Sequence, residues 1–292
     1  IGNIIDPLNL IDTYGSDALR FSLTNGITPG NDTRINDAKL ESSRNFANKI
    51  WNAARFVFKT NQKNPADYSS IASPTVNHPE DKWILSRLNQ TIKTINTAFN
   101  KLQIGEAQEK LWNFIWHEFC DWYIEMAKLR MNSQKENSTP TLQYTFNTIL
   151  RLLHPLMPFI TEEIWSFFLT ARKKESPDNL LIQSTYPRSL KKYIKESFEK
   201  EFNQILNIVK AVRNARSELR IPNNILLNSK ITSNKYDKLI QKEIATIEQL
   251  TNLKNIVNLS KNTKKGVLQI FSGADVSIYI ELPSEINLAK EK

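Results

Sequence analysis

A mainly α-helical protein, a helical bundle followed by a small α+β module, is the fold class this sequence predicts, and three observations predict it. Only seven glycines occur in 292 residues, with none between Gly105 and Gly266; that distribution suits long helices better than sheets joined by tight turns. Apolar residues recur at three-and-four spacing, as in Ile84, Leu88, Ile92, Ile95 and Phe99. Toward the C-terminus the pattern changes to short runs rich in β-branched and aromatic residues.

Residues 9–25 read as a first helix, with Leu10, Ile11, Tyr14, Ala18, Phe21 and Ser22 on one face and Gly26, Pro29 and Gly30 as its stop. Asn36 is the expected N-cap of a helix over 36–59. Pro65, Pro74 and Pro79 among Ser and Asn mark residues 61–79 as a loop, and residues 81–102 as the next amphipathic helix. Leu111, Ile115, Phe119, Trp122, Met126 and Leu129 form the seam of the helix after it, and Trp112, Trp116 and Tyr123 widen that seam enough to pack on two sides. A polar loop over 132–140 leads to a helix from Thr141. Pro155 ends or kinks it for want of an N–H donor, and Pro158 opens another through Trp165 to Leu169. One long basic helix is expected over 190–220, with Pro222 as its stop. Strands are expected at 225–232, 256–259, 267–271 and 276–282, and a helix at 236–250 between the first two. The expected organisation is a connecting segment over 1–35, a helical domain over 36–190 and an α+β module over 191–292.

Hydrophobic residues make up 40% of the chain, ample for buried cores, and no apolar run nears the ~20 residues of a membrane span. Asp6, Pro7, Asn9 and Asp12 interrupt any apolar core at the N-terminus, so a soluble, cytoplasmic protein is expected. Cys120 is the sole cysteine, which excludes an internal disulfide and a multi-thiolate zinc site. The net charge is +9, with 18 Lys+Arg against 11 Asp+Glu beyond residue 190; such a surplus favours phosphates, although base bias in a genome produces the same composition.

No catalytic constellation is evident, and no metal site is expected. His78, His117 and His154 are far apart. His117 and Asp121, four apart, share a polar helix face with Asn113 and Glu125, the pattern of a solvated pair. Glu162 and Glu163 point in different directions and suit the positive end of the helix opened by Pro158. Asp17 and Asp32 have no partner that spacing supplies. On the helix over 36–59, at ~100° per residue, Phe46, Ala47, Ala54 and Val57 fall beside Ile50 as a buried stripe. Asn45, Lys49 and Phe56 lie to one side, and Arg44, Asn48, Asn52, Arg55 and Lys59 on the outer face. An aromatic ring among cations and amides has the ingredients for binding unpaired RNA bases; the alternative is that Phe56 packs under a neighbour and the cations are solvated. A second basic row, Lys210, Arg213, Arg216 or Ser217, and Arg220, lies opposite Val209, Val212 and Leu219 and could follow an RNA backbone.

Several strings resemble the valyl-tRNA synthetases. Ile1-Gly2-Asn3-Ile4-Ile5-Asp6-Pro7 resembles the stretch after the KMSKS loop of class I synthetases, and Tyr14-Gly15-Ser16-Asp17-Ala18-Leu19-Arg20-Phe21 the helix that follows. Asn45-Phe46-Ala47-Asn48-Lys49-Ile50-Trp51-Asn52-Ala53-Ala54-Arg55-Phe56 is similar to the first helix of the valyl anticodon-binding domain, and Asp81-Lys82-Trp83-Ile84-Leu85-Ser86-Arg87-Leu88 to its second. Glu118-Phe119-Cys120-Asp121-Trp122-Tyr123 is the string most specific to the valyl branch. The segment from His154 to Trp165 is shared with leucyl and isoleucyl relatives, and 282–288 resembles the entrance to the family's coiled-coil arm.

The resemblance implies the helical-bundle anticodon-binding domain of class I synthetases. It implies tRNA(Val) as partner, with Lys49 and Phe56 facing the anticodon and Asn45, Asn52, Arg44, Arg55 and Lys39 around them; Ala38 departs from relatives that carry a basic residue near this point. It further implies that ATP and magnesium serve a full-length enzyme whose catalytic and editing domains lie outside these residues. The fragment itself is then expected to be inactive, to need no cofactor, to pack against the catalytic body of its own full-length chain and to be monomeric. The rivals are the same region of an isoleucyl or leucyl enzyme, and a helical protein-interaction module that touches no RNA.

Overall fold

The computed structural model describes residues 6–27, 35–63, 74, 76, 78–132, 139–170, 180–222, 224–254, 256, 267–273 and 275–282. They divide into two compact units between Ile194 and Lys195.

The first unit is helical. The expected opening helix is two helices, α1 (Pro7–Tyr14) and α2 (Ser16–Thr24), separated by Gly15 at φ 91°, ψ 151°. Only glycine tolerates that conformation without strain. Asp6 caps α1 by accepting from the Leu8 N–H at 2.9 Å. After Asn36, whose Oδ1 accepts from the Lys39 N–H as an N-cap should, α3 runs Asp37–Lys63. The rest of the expected 61–79 loop falls largely outside the described residues, as does Asp32. Helix α4 (Pro79–Asn100) has proline in its first turn, as does α8 (Pro158–Thr170), each placed where a missing N–H costs nothing.

The aromatic-rich stretch is α5 (Ile104–Asn113), a π-helical segment Phe114–Tyr123 and α6 (Ile124–Asn132). A π-helix widens the turn and shifts every later residue around the axis, so 3.6-residue periodicity does not describe this face. A Cβ on Gly105 would strike the Ile27 carbonyl oxygen, which is why α5 can approach the end of α2 closely only with glycine there. Helix α7 (Thr139–Leu153) begins two residues before the expected Thr141 and ends ahead of Pro155. Phe46, Ile50, Ile84, Leu88, Phe119, Phe146, Ile149 and Phe168 are buried in a shared core.

In the second unit the basic helix α9 runs Glu196–Glu218, not from Leu190. A 3-10 turn (Lys191–Tyr193) and extended Ile194 precede it. A four-stranded sheet, in the order β2-β1-β4-β3, follows from β1 (Leu227–Ser233), β2 (Leu253–Lys254), β3 (Val267–Ser272) and β4 (Val276–Glu281). Strand β1 runs parallel to β2 and antiparallel to β4, with Ile231 opposite Ile278. The expected helix over 236–250 is α10 (Asp237–Lys242) and α11 (Ile244–Thr251), broken at Glu243. Strand β2 is not among the expected strands; the strand expected at 256–259 lies, apart from Ile256, outside the described residues, as do 1–5 and the arm-like 283–288. Ile205, Ile208 and Val212 of α9 close the core over Ile231, Ile247 and Ile278.

Candidate nucleic-acid interface

The pattern of α3 explains its two faces. Leu40, Phe46, Ile50, Ala53, Ala54 and Val57 are buried, and Phe46 packs on Phe21 of α2 with ring centroids 5.1 Å apart. That burial fixes the helix rotation and leaves Asn45, Asn48, Asn52, Arg55 and Lys59 exposed. Arg44 is half-exposed, 3.8 Å from Glu41 and over the Tyr14 ring at 5.5 Å. Lys39 is half-buried in the first turn.

Lys49 is not a free cation. Its Nζ donates to Asp121 Oδ1 at 2.5 Å and lies 4.1 Å from the Trp116 ring centroid. The other Asp121 oxygen faces His117 Nδ1 at 3.1 Å. Trp116 stacks on Trp112 at 5.3 Å, and the His117 ring meets the Trp112 edge at 5.4 Å. Lys49, Trp112, Trp116, His117 and Asp121 therefore form one half-exposed cluster where α3 meets the π segment. Sequence reasoning placed Lys49 but missed its partners. The signal available was the pair of four-residue spacings, Trp112 to Trp116 and His117 to Asp121, which put all four on neighbouring rows. Phe56 is half-buried, with Lys128 Nζ 5.4 Å from its ring centroid, and Lys128 in turn donates to Glu125 at 2.7 Å. One face of the ring thus already carries a cation.

The cluster is anchored from beneath. Arg87 of α4 makes a fork to both oxygens of Glu118 at 2.8 Å each. Arg130 donates to Glu80 at 2.8 Å and to both oxygens of Asp81 at 2.9 and 3.0 Å, while the Tyr123 hydroxyl donates to Asp81 at 2.6 Å. Burial raises the Glu80 carboxyl above its ordinary range, opposed by Arg130; burial also lifts the Cys120 thiol to about 12, which leaves it an inert protonated group. Among the described residues no three His, Cys, Asp or Glu side chains converge as a metal site would require. Glu162 does not serve its own helix end: its carboxylate accepts from the Leu181 N–H at 2.9 Å. The positive end of α8 is instead met by Asp17, which accepts from the N–H groups of Phe159 and Ile160 at 3.3 and 2.6 Å.

On α9, Lys210 and Arg213 are exposed, as is Arg220 just after the helix. Arg216, expected on the same outer row, is only 3% exposed. It donates to the carbonyls of Pro222 and Ile225, both at 2.7 Å, because the chain turns back after Arg220 (φ 50°) and passes over it. Ser217 takes the outward position.

Comparison with known proteins gives three findings. A family model described as the anticodon-binding domain of tRNA ligase matches residues 81–233. The valine–tRNA ligase of Dehalococcoides mccartyi is 36% identical over 95% of this chain and 32% of its own length, and that of Staphylococcus aureus is 40% identical over 76% of the chain and 25% of its own length. The chain thus spans about a third of the length of curated relatives of this kind. Among solved structures, the LeuRS of Agrobacterium radiobacter K84, in a complex titled LeuRS-tRNA-LeuAMS, superposes with a TM-score of 0.51 at 18% identity, covering 66% of this chain and 22% of the other; that likeness concerns the fold alone.

Proposed function

The chain belongs to the family of tRNA-ligase anticodon-binding domains, and from that premise we propose that it is the tRNA-recognition part of a valine–tRNA ligase, gripping the anticodon arm of valine tRNA with the outer face of α3. The observation that carries this reading is the 36% identity to a valine–tRNA ligase along 95% of the chain. The geometry supplies a means. A pair exposed like Lys49 and Asp121, with side chains 25% and 42% accessible, is worth only about 0–1 kcal/mol in solvent. A backbone phosphate can therefore replace the carboxylate at small cost, and the Trp116 ring keeps the Lys49 ammonium in place while it does. Asn45 and Asn52 present amides that can donate to and accept from base edges. Phe56, half-buried with Lys128 over one face of its ring, supplies the aromatic group on which a base can stack.

ATP, magnesium and the joining of valine to tRNA belong, in this reading, to the two thirds of the relatives' length outside this chain, as does proofreading. This chain alone then performs neither, and works as a cytoplasmic, monomeric module of the longer enzyme. The test is a binding titration against a valine tRNA transcript and the same transcript with its central anticodon base changed, at two salt concentrations. Discrimination between the transcripts supports anticodon reading here. Equal binding that vanishes with salt refutes it. Pyrophosphate exchange at enzyme-like rates by this chain would refute the assignment of catalysis elsewhere.

A further inference from the structure

Arg213, Arg216 and Ser217 of α9, with Arg220 just beyond its end and Asn252 following α11, border an open cavity of about 640 Å3. Its size is that of a small-molecule site, and no acidic side chain lines it. The C-terminal ends of α9 and α11 both lie at its rim, and each brings roughly half a negative charge. Three guanidiniums exceed those two helix ends by about two positive charges.

Arg216 sets this cavity apart from an ordinary basic surface. Its side chain is buried, yet its Nε and Nη1 have no hydrogen-bond partner. Nη2 alone is engaged, by two backbone carbonyls. Burial pulls its pKa down, but a guanidinium remains charged at neutral pH. A buried cation with donors unmet is costly, and its positive charge borders the cavity, where a bound anion offsets it. Arg213 is oriented by its Nε–H donating to the Leu250 carbonyl at 3.0 Å. Arg220, in the left-handed region at φ 50°, turns the chain back two residues past the end of α9, at the cavity edge. Arg213 on the last turns of α9 and Arg220 beyond its end both border the cavity, which suits more than one negative charge.

We propose that this cavity binds the phosphoryl groups of a nucleotide, either free or within an RNA strand. Phosphate is the anion that several arginines approach best at once, since its oxygens accept from different directions. The site is built wholly from residues of the second unit, and it does not depend on the reading of the α3 face in the first.

The experiment is calorimetric titration of the whole chain at low salt with pyrophosphate, with ADP and with a short single-stranded RNA, in wild type and four variants. Arg220→Gln and Arg213→Gln should each weaken pyrophosphate binding about tenfold, the value of one charge-assisted hydrogen bond. Lys210→Gln, the same charge change on the same helix outside the cavity, should change it less than twofold, and Lys242→Gln, at the exposed end of α10, should leave it unaltered. Arg213 also holds Leu250, so if Arg213→Gln lowers the unfolding temperature, Arg220→Gln decides. ADP binding lost in Arg220→Gln identifies a free nucleotide as the source; RNA binding lost there, with ADP inert, identifies a strand. Absence of saturable binding by all three probes, or an equal loss in Lys210→Gln, overturns the proposal.

Discussion

Replacing Arg130 by leucine tests whether the polar network beneath the interface holds the first unit together. Arg130 and Asp81 are 7% and 6% exposed at their side chains and Glu80 13%, so the substitution strands two adjacent carboxylates away from water. At an effective dielectric near 20, each contact between unit charges ~4 Å apart is worth about 4 kcal/mol before desolvation is counted. Removing one partner of such a buried set costs about 3–5 kcal/mol in practice. For a unit of this size each kcal/mol lowers the melting temperature by about 2–4 °C, which gives a fall of roughly 6–20 °C.

The pH dependence has a definite sign. The Glu80 pKa is already raised by burial, with Arg130 opposing the rise; without Arg130 it rises further. A carboxyl whose folded-state pKa lies above its unfolded value contributes stability at pH below the unfolded value and loses it as pH rises through the folded one. The deficit of Arg130→Leu should therefore be largest at pH 7.5 and shrink toward pH 5. Arg130→Lys, which keeps the charge but not the fork to Asp81, should lose an intermediate amount. Calorimetric unfolding across pH reads all of this. A fall below about 1 kcal/mol, or a deficit that grows on acidification, would refute the assignment of the network as a structural clamp.

Lys49→Ala should weaken tRNA binding and reduce the slope of log affinity against log salt by about one, the contribution of one phosphate, in titrations across salt; an unchanged slope removes the phosphate contact. Phe56→Ala should cost about 1–3 kcal/mol of tRNA affinity with little change in melting temperature, whereas loss of stability with affinity intact would make the ring a core residue. Gly15→Ala, whose new Cβ meets nothing within 4 Å, should still destabilise by about 1–3 kcal/mol through backbone strain alone, measured by denaturant unfolding; a neutral result would mean that the break between α1 and α2 does not require glycine.

What could be read from the sequence was local. The Asn36 cap and the prolines at 79, 155 and 158 each act on the turn they occupy, and the structure puts helix boundaries within a few residues of them. The stripe of Phe46, Ile50, Ala54 and Val57 fixed the rotation of α3 because burial follows periodicity directly. The misses share a physical cause, which is that their determinants are distant or break periodicity. Asp17 caps a helix through N–H groups 142 and 143 residues away, the π segment alters the period on which a wheel depends, and Arg216 is buried by the segment that folds back over it rather than by its own helix.

The strings that carried the family resemblance turn out to contact one another. Asp81 and Arg87 of one string bind Tyr123 and Glu118 of another, and Asp121 of the latter binds Lys49 of a third. A motif that looks like a recognition signature is thus mostly a set of mutual anchors. The recognition surface proposed for α3 is then what folding leaves outward once Glu118, Asp121 and Tyr123 have taken their partners. It follows that Glu118→Gln, which keeps the shape of its side chain but weakens its fork to Arg87, should lower tRNA affinity without touching tRNA, by loosening the π segment on which Trp116 and Asp121 hold Lys49. Combining it with Lys49→Ala should then cost less than the sum of the two single losses. Additive losses in that double-mutant cycle would show that the two residues act separately and that the anchors do not shape the interface.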